Sequence, residues 1–84
     1  MLYFKLRFKD IFTISEFVRA ADKLNSRIDV ETSTIVINGS SLLSLVATAL
    51  EGPVTVVFED RKENAWFAKK LVEDFGAIKK DYIE

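Results

Sequence analysis

The sequence predicts an α+β open-faced β-sandwich, a four-stranded antiparallel sheet with three helices on one face in the order βαββαβα. Three observations carry this reading. Leu2, Phe4, Leu6 and Phe8 alternate with Tyr3, Lys5 and Arg7, a period of two. Ile14, Phe17, Val18, Ala21 and Leu24 follow at helical spacing, and a second helical stripe lies in the last third of the chain. In 84 residues there is room for one domain, 1–84, and strand and helix patterns alternating in so short a chain are most economically one sheet with its helices on one side.

The first strand places its four large apolar groups on one face. Thr13 and Glu16 then form a T-x-x-E capping box, which predicts a first helix ending near Asn25. The segments 27–31 and 34–38 are rich in Ile and Val and are separated by Thr32 and Ser33, so they read as a hairpin. Asn38 and Gly39 break the second of these strands, and Ser40 or Ser41 caps a short helix whose inward side is Leu42, Leu45, Val46 and Ala49, stopped by Gly52 and Pro53. Val54 to Phe58 is the fourth strand. The third helix is expected over 63–75, with Ala68, Leu71, Val72 and Phe75 inward and Lys69, Lys70, Glu73 and Asp74 outward. Trp66 and Phe67 are adjacent, so one of them sits at the edge of the core. The tail from Gly76 to Glu84 is amphipathic and reads as a segment that either docks or frays.

Composition bounds the function classes. With 49% apolar and 30% charged residues the chain forms a core and stays soluble, with a stability of roughly 4 to 13 kcal/mol. A net charge of -1 without a basic cluster argues against nucleic-acid binding. An RNA-recognition motif shares βαββαβ order but needs aromatic and basic residues on its third strand, and 34–38 offers neither. Cysteine and histidine are both absent, so disulfides, thiolate chemistry and thiolate zinc sites are excluded. No Gly-rich phosphate loop, metal-ligand set or nucleophile and base pair occurs, so no enzyme, metal or cofactor is expected. The alternating N-terminus lacks the apolar core of a signal peptide, and no apolar stretch approaches the roughly 20 residues of a membrane span, so the expectation is a cytoplasmic, non-membrane protein.

Phe17, Val18, Ala21, Leu24, Ser26 and Ile28 reproduce the spacing F-V-x-x-A-x-x-F/L-x-S-x-I, and Ser41 follows with Ile37 and Asn38 where a V-N pair precedes a serine. On these residues the chain resembles HPr, the small bacterial-type phosphocarrier of the sugar phosphotransferase system. The resemblance runs from Phe17 to Ser41 without a gap, and the element order agrees over essentially the whole chain, although ferredoxin-like domains share most of that order.

In HPr a histidine in the motif G-L-H-x-R-P-A, just before the first helix, carries the phosphoryl group. Counted back from Phe17, the proline falls on Thr13, the arginine on Phe12 and the histidine on Asp10. Glu16, read as the third residue of the helix, puts negative charge where the family receives a phosphate. The resemblance therefore implies a degenerate phosphocarrier region (Asp10, Phe12, Thr13, Glu16) that cannot form phosphohistidine. An aspartyl phosphate on Asp10 would need a metal held by neighbouring acids, and Lys9, Ile11 and Phe12 supply none; a solvated turn residue is the simpler reading.

Ser41 stands at the family's regulatory phosphorylation position, at a helix start where a phosphate is favoured, and is equally read as a plain N-cap; the lysine that usually precedes the serine is Ser40 here. Leu42, Leu43 and Val46 fall on the family's partner-docking positions, and Leu50 would extend that patch; Leu43 lies off the inward stripe and is expected to be exposed. The expectation is a non-enzymatic regulatory module that binds a protein partner, a phosphotransferase-system enzyme or a regulator. The alternative is an HPr fold reused for an unrelated protein interaction or self-association.

Overall fold

The computed structural model describes residues 1–81. Its elements are β1 (Leu2–Leu6), α1 (Ile11–Ala21), β2 (Asp29–Glu31), β3 (Val36–Asn38), α2 (Leu42–Thr48), β4 (Val54–Phe58), α3 (Ala65–Phe75) and β5 (Ile78–Lys80), with single turns of 3-10 helix at Ala49–Glu51 and Lys62–Asn64. The strands form one antiparallel sheet in the order β3-β2-β4-β1-β5. The class is α+β, an open antiparallel sheet with three helices, compatible with an open-faced sandwich. Among the described residues the expected four strands are five, because part of the C-terminal tail adds β5 to the free edge of β1. Residues 82–84 of that tail lie outside the described residues.

Register sorts the side chains. Ile37, Val30, Val56 and Phe4 form one cross-strand row, all buried. The helices cover this face with Ile14, Phe17 and Ala21 from α1, Leu45 from α2, and Phe67 and Leu71 from α3. The alternate row, Asn38, Asp29, Val57, Tyr3 and Lys80, lies on the opposite face. Phe17 is the hub of the core: its ring meets Phe8 at 5.1 Å, Phe67 at 5.8 Å and Phe75 at 6.1 Å between centroids, so α1, α3 and the connection from β1 to α1 share one aromatic cluster.

Several elements depart from the sequence expectation. Helix α1 begins at Ile11 with Asp10 as its N-cap, not at the Thr13 and Glu16 box. Both Asp and Thr are good cap residues, and starting three residues earlier adds nearly a turn of helix. On α2 the inward residue in the first turn is absent, since Leu42 is 40% exposed, whereas Leu45 and Ala49 are fully buried as expected. On α3 the stripe narrows to Phe67 and Leu71, with Ala68 and Phe75 half-buried, while Val72 is 47% exposed at the border facing β5. Trp66 is the edge aromatic and Phe67 the core one.

Two loops have evident physical causes. The Gly39 N–H donates to the Ile28 carbonyl at 2.7 Å, and a Cβ at Gly39 would lie 2.7 Å from Ile28 Cγ2, so the hairpin exit tolerates no side chain. Gly76 adopts φ of 66° after α3, and its N–H and that of Ala77 both return to the Leu71 carbonyl. This left-handed cap turns the chain back along β1. Buried Asn64 ties two further loops, its Nδ2 donating to the Ser26 hydroxyl at 3.2 Å and the Glu59 carbonyl at 3.0 Å.

Candidate protein-binding surface

The start of α1 is organised by Asp10. Its Oδ1 accepts from the Thr13 hydroxyl at 2.7 Å and from the Thr13 backbone N–H at 2.8 Å. The Thr13 hydroxyl first and the amide second hold the Asp10 carboxyl below its ordinary range, slight burial opposes them, and the Lys9 charge adds a little. The first turn of the helix thus carries its own anion, bound to one of the backbone donors that would otherwise face solvent. Thr13 is the third helical residue, so Glu16 is not at the helix start. It is exposed on the outer side of α1, lining a shallow depression with Arg19, Lys23, Trp66 and Lys70.

Phe12 is 71% exposed and Ile11 56%, two apolar side chains on the same first turn. Sequence reasoning treated Phe12 as a replaced arginine and missed its exposure. The signal was available: in the run Ile11, Phe12, Thr13, Ile14, only Ile14 belongs to the helical stripe.

Ser41 occupies the N-cap position of α2 in extended conformation, φ -94° and ψ 92°, but its hydroxyl makes no cap hydrogen bond. The turn is instead held by Asn38, whose Oδ1 accepts from the Ser40 amide at 2.9 Å and the Ser40 hydroxyl at 2.8 Å, while the Ser41 N–H donates to the Asn38 carbonyl at 3.0 Å. Ser41 is half-buried.

The first turn of α2 presents Leu42 and, at 84% exposure, Leu43. Val46 is three residues beyond Leu43 and Leu50 four beyond Val46, helical-neighbour spacing along one side. Val46 and Leu50 are half-buried and pack on the core. The structure therefore brings these four residues onto α2 and the 3-10 turn that follows it as a graded strip, exposed at its start and anchored at its end. Helix α2 packs directly against α1.

Among the described residues no group of three or more His, Cys, Asp or Glu side chains is placed to hold a metal ion, and no helix is long and apolar enough to cross a membrane. Comparison with family models, curated proteins and solved structures gives no match to this chain.

Proposed function

We propose that this chain is a divergent HPr-like protein that does not carry phosphohistidine and acts in the cytoplasm as a regulatory module, binding a protein partner related to the phosphotransferase system through α2. The observation that carries the proposal is the 84% exposure of Leu43 beside Leu42 on a helix whose following turns are locked into the core. A leucine presented to water on an ordered helix forgoes the gain from burial in the free protein and recovers it when a partner desolvates it. Asp10 supports the loss of the phosphocarrier role: its carboxylate is already bound at the α1 N-terminus, and no imidazole exists anywhere in the chain. Ser41 is the proposed phosphorylation position, and its lack of a cap hydrogen bond leaves modification without a cap to break.

The test is a titration of isotope-labelled protein with the general phosphotransferase enzyme, with and without labelled phosphoenolpyruvate. Amide shifts confined to α2 and the first turn of α1, with no label transferred, are the expected result. Acid-labile phosphate on this chain, or saturating shifts on other elements, would overturn the reading.

A further inference from the structure

Strand β5 extends the sheet beyond the helices that cover it. In its register with β1, Lys79 pairs with Phe4, so Lys79 lies on the inner face, where every neighbouring strand places an apolar side chain. The strip that the described residues leave open between β5 and α3 is a cleft of about 420 Å³, within the size range of small-ligand sites, roughly 300 to 1,000 Å³. Its floor is apolar, formed by Leu2 and Phe4 from β1 and by Ala68 and the exposed Val72 from α3.

The rim is cationic in a chain whose net charge is -1. Lys62 and Lys69 reach it from the α3 side and Lys79 from β5, and none of these three has an ion-pair partner among the described residues. Arg61 also lines the cleft but is committed to Glu59 at 3.0 Å and Glu63 at 3.7 Å. Among the described residues Asp60 is the one acidic side chain that lines the cleft. Three lysines without carboxylate partners among the described residues, converging on one apolar floor from α3, the 3-10 turn before it and β5, select a ligand with a single anionic head and a short apolar body.

We propose that this cleft binds a free medium-chain acyl carboxylate, its chain laid on Phe4, Ala68 and Val72 and its carboxylate held between Lys69 and Lys79. The site is separate from the α2 surface, and its existence is independent of the proposed function. A nucleic acid or an extended acidic peptide fits less well, because the floor of the cleft is apolar and the depression beside it mixes Lys79 and Lys80 with Asp60 and Asp81.

Decanoate, kept below its micelle concentration, is titrated into isotope-labelled protein. Saturable one-site shifts of the Ala65, Ala68, Val72 and Lys79 amides are expected. Decyltrimethylammonium, which has the same chain with opposite charge, and butyrate, which has the head without the chain, should each bind at least tenfold more weakly. The double variant Lys69→Glu/Lys79→Glu should lose at least tenfold in decanoate affinity with an unchanged thermal midpoint, while Lys23→Glu on α1 retains it. Equal binding of the cationic amphiphile, shifts centred elsewhere, or capture by phosphatidylglycerol vesicles without decanoate binding would each overturn the proposal.

Discussion

Asp10 and Thr13 form a two-point contact in which a single carboxylate oxygen accepts both the hydroxyl and the amide hydrogen of the residue three positions on. The charged form of Asp10 is favoured by these bonds, so its native pKa lies below its value in the unfolded chain. A lowered carboxylate contributes stability that is present above the unfolded pKa and lost as pH falls through the native one. Wild type should therefore lose more urea resistance on acidification through the carboxylate range than Asp10→Asn, which keeps an acceptor at the cap without the charge. Parallel urea midpoints for the two proteins at every pH would show that the contact is not made in solution.

Phe17→Ala should cost about 3 to 5 kcal/mol, because the ring is fully buried and its removal opens a void shared by Phe8, Phe67 and Phe75. Against a total of roughly 4 to 13 kcal/mol, that change leaves a marginal protein. Glu73→Ala on the exposed side of α3 should shift stability by less than about 0.5 kcal/mol. Urea melts of the pair decide the matter, and coincident midpoints would refute the packing.

Gly39→Ala should destabilise by about 1 to 3 kcal/mol through overpacking, since the new methyl meets Ile28 Cγ2 at 2.7 Å and the Ile28 carbonyl at 3.1 Å. Ile28→Ala removes the first of these obstacles and carries a cavity cost of its own. The double variant should cost less than the sum of the two single changes. Strict additivity would mean that the two residues do not touch.

At Gly76 an added Cβ meets no atom within 4 Å, yet φ of 66° disfavours any side chain, so Gly76→Ala should cost about 1 to 2 kcal/mol from backbone strain alone. Because this turn delivers β5 to β1, faster amide exchange should appear at Ile78, Lys79 and Lys80 before it appears in β4. Uniform acceleration across the sheet would place the strain elsewhere.

Leu43→Asp should abolish partner binding without unfolding the domain, since a charge at an 84% exposed position costs little in water and several kcal/mol in a desolvated contact. Ser41→Asp should weaken or redirect the same interaction by adding charge at the border of the strip. Isothermal titration with the partner, alongside circular dichroism of each variant, gives the answer; wild-type affinity in both would remove α2 from the account.

The parts of the fold that were legible in the sequence are those where one physical signal had no competitor. The run Val54 to Phe58 is apolar but for Thr55, β-branched but for Phe58, and bounded by Gly52-Pro53 and Glu59-Asp60, and β4 has those limits. The α1 stripe fixed its buried face through Ile14 and Phe17. Its start was ambiguous because D-x-x-T and T-x-x-E offer two registers for one helix, and local pattern does not rank them. Strand β5 left no trace in the pattern: all three residues are exposed, so no alternation distinguishes it, and its pairing depends on a left-handed turn and a partner at the other end of the chain. For the same reason the lysine cleft was invisible, since Lys79 joins Lys69 beside Leu2 and Phe4 only through that pairing. Of the α2 surface, Leu43 was legible as exposed because it lies off the stripe, whereas Leu42 was not, because the first turn of a short helix projects past the core it will later join.

The two borders of the sheet are chemically unequal. On the β5 side an approaching strand meets the exposed Ile78 and then Lys79, Lys80 and Asp81 in succession, and such charges discourage edge-to-edge pairing. On the β3 side it meets Thr34, Ile35, Val36, Ile37 and Asn38, with no charge, no proline and two of the apolar side chains about half exposed or more. Growth of the sheet into a neighbouring molecule is therefore directional: one border is guarded and the other is not, so crowding and partial loosening act on the β3 hairpin first, and a single lysine at Val36 is the smallest change that would guard both.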